Sequence, residues 1–193
     1  MPSINKQNIY LGLVSAVILA AMFLNRDAYQ RRLPVFHAVG DFILTDSANR
    51  PFQFQKLRGK VIIVDFIFTT CQGVCPMMTK NMKTLYEQFR DKKNVAFLSI
   101  TVNPEYDTPD ILAKYVKNLN IDPNQWVFLT GTRDSIQRVA VEKFKIGSVD
   151  EPVFHSAYFV LVDQHGNARG YYDGSEDAMM QKLANDTKLL TKG

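Results

Sequence analysis

The sequence predicts an α/β fold, a mixed β-sheet flanked by helices, preceded by an N-terminal membrane-anchor helix. Three observations predict it. Short β-branched and aromatic runs alternate with segments whose apolar residues recur every three or four positions, as strands and amphipathic helices do in parallel sheets. A chain of 193 residues with 46% hydrophobic content can bury one sizeable core, and its length argues for one domain. Between Lys6 and Arg26 no residue is charged, and Ile9 to Leu24 is almost wholly apolar, which suits a short membrane helix or a signal sequence.

These divisions give a tail over 1–8, an anchor over 9–25, a linker over 26–40 and a folded domain over 41–193. No small-x-small cleavage site stands before Asn25 and no lipobox cysteine is present, so an uncleaved anchor is favoured over a removed signal. No polar residues interrupt the run at helical period, which argues against a buried helix of the domain. Lys6 precedes the segment while Arg26, Arg31 and Arg32 follow it, and read literally this bias puts the domain in the cytoplasm. The bias is small, Asp27 sits among the arginines, and the chemistry has to choose the side.

From Asp41 two short apolar stretches flank Asp-Ser-Ala-Asn-Arg-Pro, a hairpin that would cover one sheet edge. Val61 to Phe68 is apolar on both faces, as in a central strand covered by helices. After Cys75, Pro76 fits the first helical position, and Met78, Met82, Leu85 and Phe89 mark a core-facing stripe. Met77, Met78 and Met82 are read as core rather than as thioether ligands. Asn94 to Val102 is the next strand, and Thr108-Pro109 opens a helix with Leu112, Tyr115, Val116 and Leu119 on one face. Trp126 to Leu129 is a strand, and Thr132 caps a helix carrying Ile136, Ala140 and Phe144. His155 begins a further strand, Asp163 to Gly166 is a turn, and Ala168 to Tyr172 pairs back as a hairpin at the far edge. Ser175 caps a final helix through about Leu190. This order is thioredoxin-like, and it puts Cys71 and Cys75 at the carboxyl end of a central strand, where α/β sheets collect ligands.

Lys and Arg outnumber Asp and Glu by four and are scattered, which leaves no footprint for nucleic acid. Both cysteines of the chain stand in FTTCQGVCP with three residues between them, unlike a disulfide-stapled secreted scaffold. They stand at the entry to a helix whose positive end favours thiolate. If both lay in helix, four residues would turn them through about 400°, leaving them about 40° apart on one face. A disulfide or a shared metal ion then becomes feasible. Thioredoxin-class oxidoreductases use two intervening residues, whereas Gln72, Gly73 and Val74 make a looser loop that favours a metal. Two thiolates select Cu(I); zinc would want four donors. An imidazole third ligand has three candidates: His37 in the linker, His165 in a turn, and His155, for which ligand and core histidine stay open on topology alone.

FIFTTCQGVCPMMTKNM resembles the signature of the Sco/SenC family, whose proteins carry Cys-x-x-x-Cys-Pro and bind copper in a thioredoxin fold. SITVNPEYDTPDILAKY, WVFLTG and HSAYFVLVDQHGNARGYYDG resemble further blocks of that family, so the likeness runs from about Asp41 to Leu190. The resemblance implies copper ligands at Cys71, Cys75 and His155. The chain departs from several members at Phe154, where they carry an acid.

The resemblance implies a metallochaperone that delivers copper, Cu(I) or Cu(II), to the dinuclear copper site of cytochrome c oxidase. The alternative is a thiol-disulfide reductase with Cys71 and Cys75 as its redox-active pair, keeping the oxidase cysteines reduced. A peroxidase finds threonines but no local arginine beside Cys71, and a structural disulfide is the blandest reading. The implied partners are the oxidase copper-site subunit, periplasmic copper chaperones or thioredoxin-like reductases, and the membrane, with the domain on the periplasmic or outer side.

Overall fold

The computed structural model describes residues 33–71, 73, 75–147 and 157–192, together with Ser15. The chain divides into two compact units, Met1–Pro34 and Val35–Gly193. The second carries the strands and helices named below. The expected anchor over 9–25 lies outside the described residues apart from Ser15. Among the described residues no helix is long and apolar enough to cross a membrane.

Among the described residues eight strands form one mixed sheet: β1 (His37–Ala38), β2 (Ile43–Asp46), β3 (Pro51–Gln53), β4 (Val61–Ile67), β5 (Val95–Thr101), β6 (Trp126–Thr130), β7 (Tyr158–Val162) and β8 (Asn167–Asp173). Their spatial order is β1-β8-β7-β4-β5-β6-β2-β3. The centre is parallel, β4 to β5 to β6, and every other pairing is antiparallel. All residues of β4, β5 and β6 are buried. That is the outcome for strands with helices on both faces.

The helices are α1 (Cys75–Phe89), α2 (Pro109–Leu119), α3 (Arg133–Arg138) and α4 (Asp177–Leu190). The crossovers β4-α1-β5 and β5-α2-β6 step the same way across the sheet, so α1 and α2 share one face. Tyr86 of α1 packs on Trp126, and Tyr115 of α2 on Phe128, with ring centroids 5.8 Å apart in each case. The opposite face of the sheet, Ile62, Val64 and Phe66 with Leu98 and Leu129, packs against Ile136 and Phe144. Phe144 is fully buried and meets Phe42, Phe54 and Phe66 edge-on.

The expected hairpin is present and covers an edge, β2 pairing β6 and β3 lying outside it. The core stripe of α1 is as read, except that Met77 stands 36% exposed. Three further readings change. His37 and Ala38, in the stretch read as linker, form β1 on β8, so the closing hairpin is not the sheet edge. Two residues carry no periodicity, and the strand exists because β8 offers a free ladder. The helix read through Phe144 is α-helical only to Arg138 and continues as a π-turn over Val139–Lys143. Ser175 does not cap α4: its hydroxyl bonds Asp173 Oδ1 at 2.6 Å, and Glu176 takes the cap position.

Candidate metal centre

The site is built where β4 leaves the sheet. Strand β4 ends at Ile67, a loop carries Thr69, Thr70 and Cys71, and α1 starts at Cys75. Cys71 lies in the loop and not in helix, so the two thiols meet through the loop rather than through helical spacing. Cys71 is half-buried and Cys75 buried. The Cys71 side chain hydrogen-bonds with Cys75, and the Phe68 N–H donates to the Cys75 sulfur. Gly73 leaves the Cys71 sulfur uncovered on its side, since a Cβ there would lie 3.9 Å from Sγ.

The expected thiolate at the helix entry is reversed for Cys75. Burial pushes its thiol up to about 12, against the lowering by the Phe68 N–H, and the Cys71 thiol and the Asp65 charge add to the rise. The partial charge of a helix end does not offset the loss of hydration at a residue only 8% exposed.

Two buried acids beside the cysteines escaped the sequence reading. Asp65, on β4, is fully buried; its Oδ1 accepts from Ser99 Oγ at 2.6 Å, and Oδ2 has no hydrogen-bond partner among the described residues. Trp126 Nε1 donates to that Ser99 oxygen at 2.9 Å. Burial raises the Asp65 carboxyl to about 7, against the Ser99 bond. Asp107, in the β5–α2 loop, is also fully buried, but both oxygens are filled. Thr101 Oγ1 donates to Oδ2 at 2.5 Å, and Thr69 donates through its N–H, 3.1 Å from Oδ2, and through its hydroxyl. Tyr115, hydrogen-bonded to Thr79 Oγ1 at 2.9 Å, is raised by burial and by the charges of Asp65, Cys75 and Asp107. These groups therefore form one neighbourhood on the α1 side of the sheet. A lone acid inside the apolar run Val61–Phe68 was the visible signal for Asp65; Asp107 gave none.

Of the three histidines, His37 Nε2 lies 2.8 Å from Tyr171 Oη, tying β1 to β8. His165 is exposed in the Asp163–Gly166 turn, at the sheet end opposite the cysteines, since Val162 pairs with Ile62 at the start of β4. His155 lies outside the described residues. Among the described residues no three His, Cys, Asp or Glu side chains gather as a metal site. An open groove of about 820 Å³, lined by Lys56, Lys60, Lys117 and Asn124, lies at the opposite end and contains neither cysteine.

A cysteine loop running from a central parallel strand into a helix, in a mixed sheet with helices on both faces, defines a thioredoxin-like protein. Residues 31–191 match the SCO1/SenC family, and the chain belongs to it. It is 30% identical over 161 residues to the SCO1 protein homolog of Bacillus subtilis, covering 80% of this chain and 83% of that one. It resembles the crystal structure of a SCO1/SenC family lipoprotein from Bacillus anthracis, with 32% identity, a TM-score of 0.72, and 82% and 98% of the two chains covered. BsSco, a member of the Sco family of cytochrome c oxidase assembly proteins with a described disulfide switch, superposes with a TM-score of 0.72 at 29% identity, covering 84% and 98%.

Proposed function

We propose that the chain is a copper carrier of respiratory oxidase assembly, in which Cys71, Cys75 and His155 hold Cu(I) and pass it by ligand exchange to the copper-site subunit. The observation that carries the reading is the pair of neighbouring thiols at the carboxyl end of β4, with three residues between them. Two soft donors on a loose loop suit Cu(I), which accepts two or three ligands. Loading requires both thiols as thiolates, so copper displaces their protons. Support for His155 comes from the sheet: β7 begins at Tyr158, at the end where β4 delivers the cysteine loop. The domain faces the periplasmic or outer side, held by an anchor over 9–25 and a linker beyond it.

A second reading has its own observation. The thiols are close enough to share a hydrogen bond, and the similar BsSco is described by a disulfide switch. Cys71 and Cys75 then cycle between dithiol and disulfide and keep the oxidase cysteines reduced, with Cys71, the more accessible sulfur, as the attacking thiolate.

The test is an anaerobic Cu(I) titration of the reduced chain against a competing chelator, repeated with Cys71→Ala and His155→Ala. One tight copper per chain, lost with Cys71→Ala and weakened with His155→Ala, is the expected result. No retention by the unaltered chain sinks the carrier and leaves the reductase.

A further inference from the structure

Beyond Ile67 the chain leaves the sheet, so the backbone of the described loop residues that follow has no ladder to fix it. Among the described residues, two kinds of bond hold its first half. Cys71 N–H donates to Phe68 O at 3.3 Å, and Thr69 gives both its N–H and its hydroxyl to Asp107. Asp107 is itself a fixed point. Its N–H donates to Asn103 O at 2.9 Å, its Oδ2 takes the Thr101 hydroxyl, and Thr101 Oγ1 in turn accepts the Asn103 N–H at 3.0 Å. The next residue, Thr108, is the cap position of α2. One carboxylate therefore ties the end of β5 and the start of α2 to the cysteine loop.

That tie reaches both sulfurs. Thr69 stands two residues before Cys71, and the residue before it, Phe68, directs its N–H at the Cys75 sulfur. A shift of the Phe68–Thr69 segment would withdraw that donor and swing Cys71 at once.

We propose that Asp107 is the positioning residue of the cysteine pair, holding Thr69 so that the Phe68 N–H and the Cys71 side chain both face the Cys75 sulfur. The inference rests on Cys71 and Cys75 being the working pair, as proposed above, and not on which ligand they take. Groups that orient metal ligands through hydrogen bonds typically cost about 10- to 100-fold in affinity when removed. The Asn side chain retains the shape and one acceptor oxygen; with that oxygen in the place of Oδ2 it still takes the Thr69 N–H and the Thr101 hydroxyl, and the Thr69 hydroxyl can turn to accept from its amide.

The experiment uses the full chain and four variants, Asp107→Ala, Asp107→Asn, Thr69→Val and Thr69→Ser, each first shown to unfold cooperatively. Two quantities are read: the Cu(I) dissociation constant against a competing chelator, and the thiol–disulfide equilibrium with glutathione. In the latter the dithiol and one glutathione disulfide give the Cys71–Cys75 disulfide and two reduced glutathiones. Asp107→Ala and Thr69→Val are expected to weaken copper by about 10-fold or more and to move the thiol–disulfide constant by roughly 10-fold. Asp107→Asn and Thr69→Ser are expected to stay within about threefold of the unaltered chain. A folded Asp107→Ala or Thr69→Val with both constants unchanged overturns the proposal, as does Asp107→Asn losing as much as Asp107→Ala. If Asp107→Ala does not fold, Thr69→Val decides. If the unaltered chain binds no copper, the carrier reading fails while the glutathione equilibrium still tests Asp107.

Discussion

Asp65 and Asp107 are both fully buried beside the cysteines, yet one is half-satisfied and the other completely satisfied. The difference follows from where each sits. Asp65 lies inside β4, where neighbouring N–H groups are committed to the ladders with β5 and β7, and the Ser99 hydroxyl is the side-chain donor that reaches it. Asp107 lies in a loop, where a backbone N–H is free to turn toward a carboxylate and two threonine hydroxyls join it. Burial alone does not decide whether an acid's oxygens are satisfied; the supply of donors does.

The largest effect tests the Asp65 side of this contrast. Its folded pKa of about 7 lies above the unfolded value of 3.8, so between those values the native state holds more protons. The contribution of Asp65 to stability is therefore full below about pH 4, falls as pH rises toward 7, and is level above that. Asp65→Asn should remove this slope, and at pH 8 it should stabilise the fold by about 2–4 kcal/mol in urea unfolding. A steeper fall in the variant than in the unaltered chain would break the contrast. Asp107→Ala should act in the opposite sense. It strands the Thr69 and Thr101 donors and should cost about 3 kcal/mol near pH 7 in the same assay. Trp126→Phe probes the contrast most gently. It removes the Nε1 donor to Ser99 Oγ while keeping an aromatic ring against Phe128, and should cost about 1 kcal/mol.

Much of this architecture was legible in the sequence because its signals are periodic. The runs Val61–Phe68 and Asn94–Val102, apolar on both faces, are the buried parallel strands, and the stripe Met78, Met82, Leu85 and Phe89 is the buried side of α1. The two cysteines were legible through their spacing and through the strand-to-helix junction that holds them. What could not be read depends on distant partners. β1 exists only because β8 offers an edge, and Ser175 is claimed by Asp173 rather than by a helix end. Asp107 sits in a sequence, Glu-Tyr-Asp-Thr-Pro, that reads as an ordinary helix entry; its task appears only when folding brings Thr69 beside it. The Cys75 thiol was misjudged for the same reason, since its burial comes from the packed sheet and helix and leaves no local signature.

X-ray absorption at the copper edge of the Cu(I)-loaded full chain tests the central claim most directly, with His155→Ala as the comparison. The account predicts two sulfur neighbours and one imidazole nitrogen per copper, the nitrogen disappearing in His155→Ala while both sulfurs remain. A copper bound by sulfur alone in the unaltered chain, or a nitrogen that survives in His155→Ala, would contradict it.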